Sequence, residues 1–90
     1  MADEKTFQCR LMTGQEVVLD QQAESVVLPA RDGLVGILAH HAPLALAVGK
    51  GKLSIRSQGQ SRTFTIAGGL AQMAENKLDI LAEVCLPAQE

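Results

Sequence analysis

Apolar and polar residues alternate with a period of two along much of this chain. Thr63-Phe64-Thr65-Ile66, Lys52-Leu53-Ser54-Ile55-Arg56-Ser57 and Lys77-Leu78-Asp79-Ile80 each send every second side chain to one face. That is the pattern of a strand with one side on a core and the other in water. Glu16-Val17-Val18-Leu19-Asp20 and Glu24-Ser25-Val26-Val27-Leu28-Pro29 add short β-branched runs with polar borders. Gly, Asn or Asp punctuates them at Thr13-Gly14-Gln15, Arg31-Asp32-Gly33, Val48-Gly49-Lys50-Gly51, Gln58-Gly59-Gln60 and Glu75-Asn76-Lys77, where the chain must reverse. Gln58-Gly59, between two alternating runs, reads as a hairpin turn.

Two stretches compete with this reading. Ala42 to Val48 is rich in Ala and Leu, which favours helix. Pro43 and Gly49 leave it at most two turns, too few to stand alone. Gly69 to Glu75 follows the Gly68-Gly69 pair, and a double glycine marks a bend or bulge in a strand more often than a helix start. Both are read as strand or irregular structure. Short strands at this spacing predict one all-β domain, an antiparallel sandwich or flattened barrel.

The segment Gly33-Leu34-Val35-Gly36-Ile37-Leu38-Ala39-His40-His41-Ala42-Pro43-Leu44 stands apart. It has no charged residue and holds the only two histidines of the chain. It is either core or a surface made to meet another protein. Metal binding is disfavoured there. Adjacent residues on a strand point to opposite faces, no HxH or HxxxH spacing occurs, and Asp32 is the nearest acid. One histidine packed or hydrogen-bonded and the other exposed is the plainer expectation.

Composition narrows the function further. Ninety residues make one domain, and two Phe without Trp or Tyr leave an aliphatic core. Aromatic platforms for single-stranded nucleic acid are therefore missing. Eight basic and ten acidic residues give a net charge of −2, with no basic stripe to meet phosphates, so no nucleic-acid partner is expected. The start, Met1-Ala2-Asp3-Glu4-Lys5, is polar and acidic, unlike a secretory signal. The near-apolar run Leu34 to Val48 is too short to span a bilayer. No GxSxG, phosphate-binding loop or carboxylate pair is present, so no catalytic residue, cofactor or metal is assigned. Cys9 and Cys85 lack metal-ligand spacing. They are read as two free, largely buried thiols, with a disulfide open only if the terminal strands are neighbours.

Taken in order, the motifs resemble a known family. Val26-Val27-Leu28-Pro29, Asp32-Gly33, Gly36-Ile37-Leu38, His41-Ala42-Pro43-Leu44 and Gly51-Lys52-Leu53-Ser54-Ile55 are similar to the N-terminal half of the epsilon subunit of bacterial F-type ATP synthases. Ile66-Ala67-Gly68-Gly69-Leu70-Ala71-Gln72-Met73 and Asn76-Lys77-Leu78-Asp79-Ile80-Leu81-Ala82-Glu83 resemble its closing strands. Phe7 to Thr13 and Val17-Val18-Leu19-Asp20 fit its first hairpin. The similarity runs from about Thr6 to Glu83.

The resemblance implies a flattened sandwich of about ten strands, with residues 1–5 a flexible start, 6–84 the domain and 85–90 a tail. It implies a non-catalytic rotor subunit of the central stalk, coupling gamma to the ring of c subunits. It also implies a peripheral position on the cytoplasmic side of the bacterial membrane. The loop matching Arg31 to Pro43 is placed towards those partners, with Arg31, Asp32, Leu34, Leu38, His40, His41, Ala42 and Pro43 as interface residues. Leu34, Leu38, Leu44, Leu46 and Met73 would supply its apolar contact. Three departures matter. Ala39-His40 stands where the family has Pro-Gly, and Leu34 where an acidic residue is common. The C-terminal helices that carry regulation, and in some members nucleotide binding, are not carried over, so no ATP binding is expected. The alternative is a free-standing β-sandwich adaptor for another protein.

Overall fold

A computed structural model describes residues 5–87. Apart from Lys5, the flexible start expected at 1–5 lies outside the described residues, as do positions 88–90 of the expected tail. Eight strands follow in chain order: β1 (Phe7–Met12), β2 (Val17–Ala23), β3 (Ser25–Ala30), β4 (Gly33–Leu38), β5 (Leu44–Ala47), β6 (Lys50–Ser57), β7 (Gln60–Ala74) and β8 (Lys77–Pro87). No helix occurs among the described residues. The stretch 42–48 resolves as strand β5, because β7 offers it partners from Leu44 opposite Met73 to Ala47 opposite Leu70. The sheet extends past residue 84: Cys85, Leu86 and Pro87 pair with Ile66, Thr65 and Phe64.

The strand order is β2-β1-β8-β7-β6-β3-β4, with β5 attached to β7. The expected count of about ten strands becomes eight for a structural reason. Strands β7 and β8 are long and each serves two layers. The first part of β7 pairs with β6, from Gln60 opposite Ser57 to Ala67 opposite Lys50; its last part pairs with β5. The first part of β8 lies beside β1, and its later part pairs with the first half of β7. One layer is therefore β5, late β7, early β8, β1 and β2. The other is late β8, early β7, β6, β3 and β4. The pairing is antiparallel with one exception: β1 and β8 run parallel, Gln8 opposite Lys77 to Met12 opposite Leu81. These are the first and last strands, so no hairpin dictates their direction.

The bend of β7 falls at Gly68-Gly69, the pair read from the sequence as a bend. Their φ angles are 73° and 122°. Here the chain exchanges one neighbour for another. Gly68 N–H donates to the Gly49 carbonyl (3.2 Å), and Val48 N–H donates to the Gly69 carbonyl (3.0 Å). Side chains from both layers meet in one core, including Phe7, Leu11, Val26, Leu28, Ile37, Leu53, Ile55, Ile66, Met73, Leu78 and Ile80. Strand β8 shows the alternation plainly: Leu78, Ile80 and Ala82 are buried while Lys77, Asp79, Leu81 and Glu83 are exposed.

The terminal strands are neighbours, yet the cysteines are far apart. Cys9 lies opposite Leu78, and Cys85 sits seven residues further along β8, about 23 Å at strand rise. Disulfide geometry needs Cα atoms within about 7 Å, and both thiols are free. Cys9 is buried and Cys85 only half-buried. Burial pushes the Cys9 thiol up to about 12, with the Asp79 and Asp20 carboxylates adding to the rise. Burial also raises Cys85, with a contribution from Glu16. An unfolded thiol titrates near 8.5. The fold thus favours the protonated form, and that preference is intact below about pH 8.5 and lost as pH climbs towards 12. Alkaline denaturation followed by circular dichroism should steepen across this window and flatten in Cys9→Ala. An unchanged slope in the variant would show that other groups govern the loss.

Candidate functional site

The Gly33–Leu44 segment is both core and surface, because most of it is strand. In β4, Ile37 is 1% exposed, whereas Leu34 is 71% and Leu38 64% exposed. Strand β4 ends the sheet order, paired only with β3 through Leu28 opposite Val35, Pro29 opposite Leu34 and their neighbours. The outward phase is thus Leu34, Gly36 and Leu38, on an edge strand without a charge.

The proposed interface residues do not converge on one loop. Arg31 and Asp32 form the turn between β3 and β4 and are exposed. Arg31 N–H donates to the Ala47 carbonyl (3.3 Å), placing this turn near the Gly68-Gly69 bend. His40, His41, Ala42 and Pro43 lie beyond the other end of β4. Its six residues separate the two groups by about 20 Å. Leu34 and Leu38 lie on the strand between them.

A hydrogen-bonded turn holds the histidine end. His41 N–H donates to the Leu38 carbonyl (3.2 Å), closing a turn over Ala39-His40. His40 takes the left-handed conformation with φ 63°, a position suited to glycine. Asn76, in the turn between β7 and β8, fixes this geometry from outside. Its Oδ1 accepts from His40 N–H (2.7 Å), and its Nδ2 donates to the Thr6 carbonyl (2.9 Å). Its own carbonyl accepts from Gln8 N–H (3.2 Å). The His41 ring Nδ1 lies 2.7 Å from the Ala42 carbonyl, a contact that requires the proton on Nδ1. His41 is half-buried and His40 exposed. Among the described residues, no three His, Cys, Asp or Glu side chains are grouped to hold a metal.

The turn thus closes over Ala39-His40 although neither residue is glycine. His40→Gly should relieve the left-handed strain and raise stability by about 1 kcal/mol, or some 4–8 °C in melting temperature for a domain this size. Glycine keeps the N–H that donates to Asn76, so a thermal melt showing no rise would mean that His40 bears no appreciable left-handed strain.

Met73 does not belong to the surface. It faces Leu44 across the β5–β7 ladder and is fully buried, because its phase on β7 is that of the core residue Ala71. Leu44 and Leu46 are partly buried and pack against the core. The sequence reading missed Leu70 and Leu81, which are 65% and 48% exposed and directly opposite one another. They line a shallow groove of about 450 Å³ with Gly14, Gln15, Gly69 and Glu83. The available signal was phase: Leu81 occupies an outward position of β8 shared with Lys77, Asp79 and Glu83. This groove lies on the β1–β8–β7–β5 layer, away from β4.

Residues 6–88 match the family model of the delta/epsilon chain β-sandwich domain of ATP synthase. The ATP synthase epsilon chain of Synechococcus sp. (strain JA-2-3B'a(2-13)) is 36% identical over 76 residues, covering 84% of this chain and 56% of that protein. The chloroplastic epsilon chain of Coffea arabica is 36% identical over 76 residues, covering 84% and 58%. The epsilon chain of Desulfitobacterium hafniense (strain Y51) is 34% identical over 85 residues, covering 94% and 64%. This chain therefore spans a little over half the length of the curated relatives it matches. Among solved structures, a chain of the Euglena gracilis mitochondrial ATP synthase, from an OSCP/F1/c-ring structure in rotational state 1, superposes with a TM-score of 0.87 at 21% identity. It covers 92% of this chain and 54% of that one. A chain of the Tetrahymena thermophila mitochondrial ATP synthase central stalk and c-ring gives a TM-score of 0.78 at 16% identity, covering 96% and 69%. At these identities the two superpositions establish the shared fold.

Proposed function

This chain belongs to the delta/epsilon β-sandwich family of ATP synthase subunits, and we propose that it acts as a non-catalytic rotor component of the central stalk, joining a gamma-type subunit to the c-ring. The observation that carries the reading is the presence of two separate exposed apolar surfaces on one continuous core. One is the outer side of β4, with Leu34 and Leu38, flanked by Arg31 and Asp32 at one end and by His40, His41, Ala42 and Pro43 at the other. The second is the Leu70–Leu81 groove on the other layer. Desolvated interface centres are poor in charge, as the outer side of β4 is, while the groove sets its two leucines beside the Glu83 carboxylate. Torque passes between two partners only if the contacts keep a fixed register, and a packed β-core with interdigitated side chains deforms little. The reading places the domain peripherally on the cytoplasmic side of a bacterial membrane and gives ATP chemistry to other subunits.

Two double variants test it: Leu34→Asp/Leu38→Asp and Leu70→Asp/Leu81→Asp. Titration calorimetry with purified gamma subunit, and reconstitution with c-ring, should show each variant losing a different partner by tenfold or more. Melting temperatures should stay within a few degrees of the parent. Failure of the parent chain to bind gamma at micromolar concentration would overturn the rotor reading and leave the adaptor reading. A clear ATP isotherm would overturn the assignment of nucleotide chemistry to other subunits.

A further inference from the structure

We infer that the free edge of β4 is a self-complementary pairing site, through which two copies of this chain join antiparallel, edge to edge, into a weak dimer. This goes beyond the rotor reading and does not depend on it. The first observation concerns where the backbone of β4 points. Pro29 has no N–H, and its carbonyl accepts from Gly49 N–H at 2.8 Å, on the side away from β4. The Pro29–Leu34 pair is therefore one that exchanges no ladder hydrogen bonds. Leu34 consequently turns its N–H and carbonyl towards the open edge. Alternation gives Gly36 and Leu38 the same orientation. Consistent with this, the Leu38 carbonyl is taken by His41 N–H in the turn rather than by β3.

The second observation is register. Pairing that preserves the two faces of the sheet must put outward residues opposite outward residues. Centred on Gly36, an antiparallel copy places Gly36 opposite Gly36, Leu34 opposite Leu38 and Val35 opposite Ile37. Every free donor and acceptor at Leu34, Gly36 and the Leu38 amide then finds a partner, and the Leu38 carbonyl keeps a second lone pair for it. The two exposed leucines meet across the junction on each side, and the glycine at the centre lets the backbones approach closely.

The third is the absence of protection. Edge strands are normally blunted by charge, proline, bulges or shortness. Strand β2, at the opposite edge of the sheet, carries Asp20 and has a register shift opposite Met12; β5 has only four residues. Strand β4, Gly33-Leu34-Val35-Gly36-Ile37-Leu38, has no charge, no proline and an unbroken register with β3. A single pair of six-residue strands covers less than the roughly 1,000 Å² typical of a stable interface, which sets the dimer in the weak, concentration-dependent class. The dimer also covers the surface assigned above to a rotor partner, so the two associations exclude each other.

Sedimentation equilibrium of the purified chain from about 10 μM to 1 mM tests the inference. The expected result is a rising dimer fraction that Leu34→Lys abolishes while leaving the melting temperature of the dilute monomer unchanged. Leu38→Lys, placed opposite Leu34 of the copy, should do the same, and Leu70→Lys should not. A chain that stays monomeric across this range would overturn the proposal. So would a dimer that survives both β4 lysines or that Leu70→Lys removes. Binding to gamma is measured separately and bears on the rotor reading alone.

Discussion

Gly69→Ala is expected to destabilise the domain by at least about 3 kcal/mol, lowering its melting temperature by about 12 °C or more. Gly69 sits at φ 122°, a region that residues with a Cβ rarely enter. A Cβ placed there would run into the Leu81 carbonyl oxygen and come within 3.0 Å of the Ala82 Cα. These are backbone atoms of β8, which is held by β7 on one side and, as far as Leu81, by β1 on the other. Neither can yield without breaking ladder pairs. Movement of Gly69 itself would pull its carbonyl from Val48 N–H and open the corner where β7 changes partners. For a domain with total stability on the order of 5–10 kcal/mol, this is a large fraction. Two controls separate the causes. At Gly68, φ 73°, a Cβ meets the flexible end of the Glu83 side chain, so Gly68→Ala should cost only about 1 kcal/mol, from backbone strain. At Gly36, with nothing within 4 Å of a Cβ, substitution by Ala should change stability by less than about 0.5 kcal/mol. Thermal melts of the three variants decide the matter, and a Gly69→Ala melt close to that of Gly36→Ala would refute the steric account.

That corner also marks where the sequence stops being legible. Alternation identifies the core phase within a strand, so Leu53, Ile55, Phe64, Ile66, Leu78 and Ile80 are readable as interior residues. Turn chemistry is readable too. Gln58-Gly59 takes positive φ at both residues, as a two-residue hairpin of type I′ requires, and Glu75-Asn76 does likewise. Continuity across a glycine pair is not readable. Gly68-Gly69 could end a strand, bulge it or bend it, and only the partners supplied by β5 and β6 select the bend. The strand count and the assignment of Met73 both fail there, since neither the length of β7 nor its phase past the bend follows from local pattern. The parallel β1–β8 pair is invisible for a related reason: it joins chain ends with no connecting turn to declare its direction.

The segment 31–43 shows the same limit at the candidate site. The lack of charge from Gly33 onward and the two histidines mark it as unusual, and the resemblance gathers eight of its residues into one contact loop. The structure spreads them along and beyond a strand about 20 Å long. An apolar hexapeptide can be read as loop, edge strand or central strand, and the difference depends on whether a neighbour pairs with its far side. Asn76 is hidden from sequence reasoning altogether. It lies 36 residues from His40, and the bond between them exists only because β5 returns to the β7–β8 turn.

Ile37→Asp and Leu38→Asp should therefore behave oppositely, although the residues are adjacent. Ile37 faces Val26 across β3 and lies in the shared core at 1% exposure. Aspartate there removes a buried aliphatic group and leaves a carboxylate without a buried cation to pair with. A loss of 4 kcal/mol or more is expected, of the size seen when a charge is stranded in a core. The carboxyl can escape part of that penalty by protonation, because burial raises the pKa of a carboxyl group. A raised folded pKa means that the neutral form is favoured by the fold. The destabilisation should therefore be smallest below about pH 4, the unfolded carboxyl range, and grow as pH rises through the folded value. Leu38, at 64% exposure, already stands in solvent. Aspartate at that position should shift stability by about 0.5 kcal/mol or less, with no steep pH dependence. Urea denaturation of both variants at pH 4 and pH 7 measures all four values. If Leu38→Asp is as damaging as Ile37→Asp, then β4 is covered on its outer side within the folded monomer, and neither the partner surface nor the self-pairing edge is available.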